Sequence, residues 1–369
     1  MSISIKRIAA AALAAALALA TAACGGEKGG EKGGGGGGAK GAKVALLLPE
    51  SKTTRYEQQD RPNFERRVKE LCGSCQVLYA NAEQDPARQQ QQAEQAITNG
   101  AKVIVISAVD VKSAASIVSR AKQSDVAVVA YGRLIPNADI DYYVSINPFK
   151  VGQQQGRALV DALKREGKQN ASVVMINGAP TDSNAAPYKR GAHSVIDKVG
   201  LKVVKEFDTP DWSPDKAQAE MEQSITSVGK NGFDGVYVAN DGMAGGAIAA
   251  LKGAGINPAT RPVTGQDAEV AALQRILTGE QLMTVYQPIK RIAESAAELA
   301  VPLAQGKTPP DIVTARVDNG RKKVPSVLLD TITVTKDNMK DTVIKDGFVK
   351  PSQLCGGKYA SACADAGIR

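Results

Sequence analysis

The sequence predicts an α/β protein made of two doubly wound, parallel-sheet lobes. Three observations carry that expectation. From residue 44 onward short strands and helices alternate with brief connections, the order expected of a parallel sheet wound with crossover helices. The strands are near-continuous apolar runs, as at 103–107 and 126–130, which suits strands covered on both faces. The same β-α module then runs a second time within a chain of 369 residues, beyond the roughly 250–300 residues over which a single core keeps growing.

The first forty residues stand apart. Lys6 and Arg7 precede an apolar run at 8–20, a charged region followed by a hydrophobic one, so 1–23 reads as a secretion signal. The run is too short for a stable membrane span. Ala22 and Ala23 lead into Cys24, which resembles a bacterial lipoprotein box and implies lipidation of Cys24; Thr21 stands where that pattern has Leu. Residues 24–43, rich in Gly and Lys, read as a flexible tether. A phosphate-binding loop is excluded because no G-K-[ST] follows the glycines.

The first module begins with a strand at 44–48, ending at Pro49 and Glu50. A loop at 51–56 carries Lys52, Arg55 and Tyr56, and a helix follows at 60–71. Strands at 76–80, 103–107 and 126–130 alternate with helices at 85–99 and 111–122. The last of these strands runs out at Tyr131, Gly132 and Arg133, and a strand at 142–146 closes the series. After a helix at 150–165 the second module brings strands at 173–176, 203–206, 235–239, 262–264 and 283–286. Helices at 188–199, 215–228, 245–253 and 268–278 separate them. A helix at 289–305 and a strand-rich tail at 312–335 complete the body, the tail adding to both modules.

Net charge is +8. Its cations are spread along helices with no arginine-rich run or zinc-finger spacing, so nucleic acid is not an expected partner. One histidine, His193, gives neither a zinc site nor a hydrolytic triad a usable set; no metal, no cofactor and no enzymatic activity are expected. Cys72 with Cys75, and Cys355 with Cys363, read as local disulfide staples of an exported protein. A redox role for Cys72-Gly73-Ser74-Cys75 would need the first cysteine at a helix start, whereas this pair follows a helix.

Ligands of open α/β sheets bind outside the carboxyl ends of the strands. The strand at 235–239 ends at Asn240 and Asp241, and the next ends at Gly265, Gln266 and Asp267. Successive strand ends that release amide and carboxylate predict a polar, uncharged, hydroxyl-rich ligand. Two modules facing each other make a cleft, reached by Arg55 and Arg133 from the first and Asn184, Asn240 and Asp267 from the second. Asp241 is expected to cap the helix that follows it rather than to act as a catalytic acid.

Several segments together, AYGRLIPNADIDYYVSINPFKVG, INGAPTDSNAA, ANDGMAGGAIAALKGAG, TGQDAE, MTVYQP and DTVIKDGFVK, resemble the type I periplasmic sugar-binding proteins of ABC importers, most closely those for D-xylose. The resemblance implies two lobes joined by three crossings, near Ile146-Asn147, Gln287-Pro288 and 328–330. The lobes would be 44–146 plus 288–328, and 147–287 plus 329–369. It also implies sugar contacts at Arg55, Tyr56, Arg133, Asn184, Trp212, Asn240 and Asp267, with Tyr56 where xylose binders carry Trp. Two further positions of the site depart: the family's Asp is Gly132 here, and its Lys is Gln287. One negative and one positive charge go together, and the room at Gly132 would admit the hydroxymethyl of a hexose or hold water. The implied partners are a monosaccharide (xylose or a related aldose), an ABC permease with its ATPase, and the membrane through the lipid anchor. The protein is expected to be a monomer on the outer face of the cell membrane or in the periplasm. The alternative role is a sensor that presents its ligand to a chemoreceptor or sensor kinase.

Overall fold

Val44 to Leu48 are buried on both faces of the first strand, β1 (Lys43–Leu48), because it pairs on both sides and helices cover it above and below. The computed structural model describes residues 41–369, and the secretion-signal, lipidation and most of the tether expectations fall outside them. Beside β1 lie β2 (Gln76–Asn81) and β3 (Ala101–Ile106), followed by β4 (Ala127–Tyr131) and β5 (Tyr142–Ile146). The later strands are β6 (Ser172–Asn177), β7 (Lys202–Asp208), β8 (Gly235–Val238), β9 (Thr284–Tyr286), β10 (Ala315–Asp318), β11 (Lys323–Leu329) and β12 (Ile332–Val334).

The first sheet has seven strands in the order β10-β11-β5-β4-β3-β1-β2. Every neighbouring pair is parallel except β10–β11. From β1 the chain winds one way to β2 and the other way to β3, so the carboxyl ends of β1 and β3 flank a topological switch point. The second sheet has the parallel order β7-β6-β8, with its own switch between β6 and β8. The expected strand at 262–264 is reduced to one bridge, Val236 with Val263. Pro262 has no N–H to extend the ladder. Residues 263–265 nonetheless link β8 to the following segment, since Leu282 N–H donates to Val263 and Val285 N–H to Gly265. There β9 pairs antiparallel with β12. The tail is thus divided, β10 and β11 joining the first sheet and β12 the second group.

Several helices start earlier than the sequence predicts, and each shift moves a functional position onto a helix start. The helix expected from 60 is preceded by a π-helical turn, Tyr56–Asp60, that runs into Arg61–Leu71. The helix expected from 188 begins at Ala185, directly after Asn184. The helix expected from 245 begins at Asp241 with Asn240 as its cap. In the other direction, the helix expected at 268–278 is only Val270–Leu277. Asp267 and Ala268 have φ of 97° and 52°, which helical backbone excludes.

Helix Pro148–Arg165 packs closely on helix Ala185–Ile196. A Cβ on Gly152 would stand 2.0 Å from the carbonyl oxygen of Tyr188, so only glycine permits this approach. Cys72 and Cys75 have Cα atoms 5.3 Å apart and Cys355 and Cys363 5.7 Å apart, both within disulfide reach. Among the described residues no helix is long and apolar enough to cross a membrane.

Candidate ligand-binding site

The carboxyl ends of the strands in both sheets converge on one cavity. Arg55 and Tyr56 follow β1, Gly132 and Arg133 follow β4, and Asn184 comes from the turn after β6. Trp212 follows β7, Asn240 follows β8, Asp267 follows the 263–265 bridge segment and Gln287 follows β9. All nine positions expected at the site line this cavity. Six more residues line it: Gln266, which the sequence placed at a strand end without assigning it a contact, and Thr53, Ser145, Ile146, Asp182 and Tyr188, which sequence reasoning missed.

Each arginine is paired with a carboxylate, Arg55 with Asp60 on its own side of the cavity and Arg133 with Asp182 on the other. Arg55 makes a two-pronged bond to Asp60, Nε to Oδ2 at 2.9 Å and Nη2 to Oδ1 at 2.8 Å. The Tyr131 hydroxyl also donates to Asp60. Burial opposes the Arg55 charge, but Asp60, and after it Asp267, outweigh burial and raise the pKa well above its ordinary value. Arg133 donates from Nη1 to the Ala108 carbonyl at 2.7 Å. Its Nε lies 2.8 Å from Asp182 Oδ2, yet the N–H is not aimed at that oxygen. The contact is an ion pair rather than an aligned hydrogen bond. Here too burial is outweighed, chiefly by Asp182, and Arg133 stays charged. Asp60 and Asp182 therefore fix the two guanidinium groups and offset their charge, leaving their remaining N–H groups for a ligand.

The second sheet positions its groups through the backbone. Asn240 caps helix Asp241–Gly253, its Oδ1 accepting from Met243 N–H at 3.0 Å. That demand dictates the amide orientation and leaves Nδ2 as the donor. Asp241, expected to cap, is instead fully buried and holds the neighbouring loop. Its carboxylate accepts from Glu269 N–H at 3.0 Å, Thr284 Oγ1 at 2.8 Å and Gln281 Nε2 at 2.8 Å. Trp212, in a short 3-10 turn rather than an open loop, has φ of 52°, and Asp211 before it has 63°. Its ring lies against Gly178, where a Cβ would come within 2.0 Å. Tyr188 meets the indole edge to face, ring centres 6.3 Å apart at 75°.

Asp267 completes the floor. Burial raises its pKa, while Arg55, 3.6 Å away, pulls the other way. Gln287 bridges the two, accepting from Arg55 at 3.0 Å and donating to Asp267 Oδ1 at 2.8 Å. A neutral amide thus links the charged groups, with both of its ends engaged.

Bonds also join the two sides around the cavity, beside the Arg133–Asp182 pair. Asn184 Nδ2 donates to the Gly132 carbonyl at 2.9 Å, Val111 N–H to the Thr181 carbonyl at 3.1 Å, and Thr54 N–H to Glu269 Oε1 at 3.3 Å. His193 lies elsewhere, between Asp197 and Glu206. Among the described residues no cluster suited to a metal ion is found. The arrangement offers fixed donors, acceptors and aromatic surface, the means to hold a polyhydroxylated molecule.

Comparison with known proteins bears on the family and the fold. A sequence profile of the periplasmic binding protein domain matches residues 44–308. The chain is 38% identical over 319 residues to the D-xylose-binding periplasmic protein of Escherichia coli strain K12, covering 85% of this chain and 93% of that one. It is also 38% identical over 313 residues to the protein of the same name from Haemophilus influenzae, covering 84% and 91%. A solved ABC transporter solute-binding protein from Clostridium phytofermentans with bound β-D-glucose superposes with a TM-score of 0.75 at 29% identity, over 85% of this chain and 99% of that one. The chain therefore belongs to the periplasmic binding protein family, in its type I fold.

Proposed function

We propose that this protein binds a monosaccharide, xylose or a related aldose, between its two sheets and hands it to an ABC import permease with its ATPase. The observation that carries the reading is the convergence of Arg55, Arg133, Asn184, Asn240 and Asp267 with two aromatics on one buried cavity. A sugar ring offers hydroxyls that both donate and accept, and apolar C–H faces. Asp267 and Asn184 Oδ1 accept, Asn240 Nδ2 and the guanidinium groups donate, and Trp212 and Tyr56 cover the faces. A site built to pair hydroxyls rejects molecules that lack them, because its own buried groups would go unpaired.

The working unit is then a pair of lobes, 44–146 plus 288–328 and 147–287 plus 329–369, that close on the sugar. Bonds such as Asn184 to Gly132 are the natural latch of the closed form. In this reading the protein is a monomer, exported and held at the membrane by lipid on Cys24. Cys72–Cys75 and Cys355–Cys363 act as disulfide staples. Titration calorimetry and thermal shift with xylose, glucose, galactose and arabinose test it. Micromolar or tighter binding to at least one sugar, with no turnover, is expected. Absence of binding to all of them refutes it, and mass analysis of the mature N-terminus tests the lipid.

A further inference from the structure

Just behind the cavity wall, at the switch point between β1 and β3, stands Ser107, the residue after the last position of β3. Its backbone is pinned on both sides. The N–H donates to the Leu47 carbonyl at 3.0 Å, and its own carbonyl accepts from Gln89 Nε2 at 2.9 Å. The side chain is fully buried, and Oγ has no hydrogen-bond partner among the described residues. Buried hydroxyls are nearly always paired, so an orphan of this kind needs an explanation.

Next to Ser107 is Gly132, which lines the cavity. Its φ of 71° is left-handed backbone, and a Cβ built on it would meet only Ser107 Oγ within 4 Å, at 3.7 Å. The place a side chain would take at Gly132 is therefore open, and an unpaired hydroxyl borders it. The carbonyl of Gly132 is already engaged by Ser145 Oγ at 2.8 Å and by Asn184, so it does not compete for a group entering there.

Building on the proposed sugar-binding function, we infer that the preferred ligand is an aldohexose whose exocyclic hydroxymethyl enters the space at Gly132 and exchanges a hydrogen bond with Ser107 Oγ. Hydroxyls attached directly to the ring are met by the groups lining the cavity. Ser107 is not among the residues that line the cavity, and a hydroxyl carried on an extra carbon is the one that reaches it through the open space at Gly132. A pentopyranose has no such atom. Ser107 then reads the presence of the sixth carbon, a task separate from the ring contacts.

The test is calorimetry on the full chain and on Ser107→Ala with two series of ligands, each differing only at C6. One is D-glucose, 6-deoxy-D-glucose and D-xylose; the other is D-galactose, 6-deoxy-D-galactose and L-arabinose. In the wild type one hexose binds most tightly, and its 6-deoxy form loses about threefold to tenfold, the worth of one neutral hydrogen bond. In Ser107→Ala the hexose falls to the level of its 6-deoxy form, while the 6-deoxy sugar and the pentose keep their wild-type affinities. Ser107→Val, which fills the space with methyl groups, lowers hexose affinity further and spares the pentose. Thermal unfolding of the unliganded variants verifies that both fold. The inference is overturned if a pentose binds as tightly as its hexose, or if Ser107→Ala weakens every sugar alike. It is also overturned if removal of the 6-hydroxyl costs the same in both proteins, as trapped water at Ser107 would give. Failure of any sugar to bind the wild type would instead remove the sugar-binding reading itself, a distinct result.

Discussion

The two sides of the cavity solve the same problem in different ways. On the first sheet the binding groups are long, flexible arginines: Arg55 is immobilised by the buried carboxylate of Asp60 on its own side, and Arg133 pairs with buried Asp182 from the turn after β6, on the other side. On the second sheet the groups are short or rigid, and the main chain aims them: a helix cap for Asn240, left-handed turns for Trp212 and Asp267. The lesson is that a rotamer-rich side chain needs a partner to lose its freedom, supplied for Arg55 from its own side and for Arg133 from across the cavity, whereas short ones need only a fixed Cα.

This contrast is broken most severely at Asp60. Asp60→Ala leaves the Arg55 guanidinium buried without its partner, which costs about 3–5 kcal/mol of stability. Sugar affinity should fall at least a hundredfold, read by urea denaturation and calorimetry; a wild-type affinity would mean that Arg55 is positioned by something else. Next come Asp267→Ala and Asn240→Ala, which remove partners of ligand hydroxyls worth about 1.5–3 kcal/mol each. Asn240→Ala should lose an additional ~1 kcal/mol of stability through the lost cap, a loss that Asp267→Ala lacks. Gly152→Ala forces helix Pro148–Arg165 away from the Tyr188 carbonyl, and overpacking of this kind costs about 1–3 kcal/mol. Tyr188 and Trp212 should shift with it, read as a change in tryptophan fluorescence.

A pH series sharpens the comparison at the mouth. Glu269, which accepts the Thr54 N–H from across the cavity, has its pKa pushed up to about 7, first by burial and next by Asp267. Arg275 pulls it down and Glu50 adds to the rise; the Asp241 carboxylate is bound to the Glu269 N–H. A carboxyl whose pKa is raised in the compact state holds its proton more tightly there than when exposed. Its contribution therefore favours the compact state as pH falls from above 7 toward 4.5. Between pH 8 and pH 5 the wild type should gain up to about 3 kcal/mol relative to Glu269→Gln, measured as the difference in unfolding free energy of the two proteins. An identical pH profile for both would exclude this role. The smallest effect is expected from Lys52→Ala, because Lys52 is exposed beside the lip. Sugar affinity should change by less than about threefold, as for most exposed charges.

The sequence made the strand ends readable, and with them Asn240, Asp267 and Arg133, because apolar runs that stop at polar residues mark a sheet edge. It did not reveal Asp60 or Asp182. An acidic residue near the start of a predicted helix looks like an ordinary solvated or capping side chain: only the π-helical turn at 56–60 brings Asp60 onto Arg55, five residues before it, and nothing near Asp182 in the sequence points to Arg133. Tyr188 was hidden for a related reason: it lies on a helix, and only the close approach at Gly152 turns that helix face toward the cavity. The segment 262–264 misled in the opposite direction. Its composition suits a strand, but proline at its start has no N–H for the ladder, and a single bridge remains. The dual duty of Asn240 follows from where the next helix begins, and that boundary was misplaced by four residues because Gly242, Gly245 and Gly246 weaken the helical signal.

The bond from Asn184 to residue 132 ends on a peptide oxygen, not on a side chain. Any residue that tolerates the left-handed backbone there, as Asn and Asp do, presents the same oxygen, so a lineage can try such residues without unfastening the two halves. Diet and grip are thereby uncoupled, and a change of preferred nutrient need not await a second, repairing mutation in the opposite half.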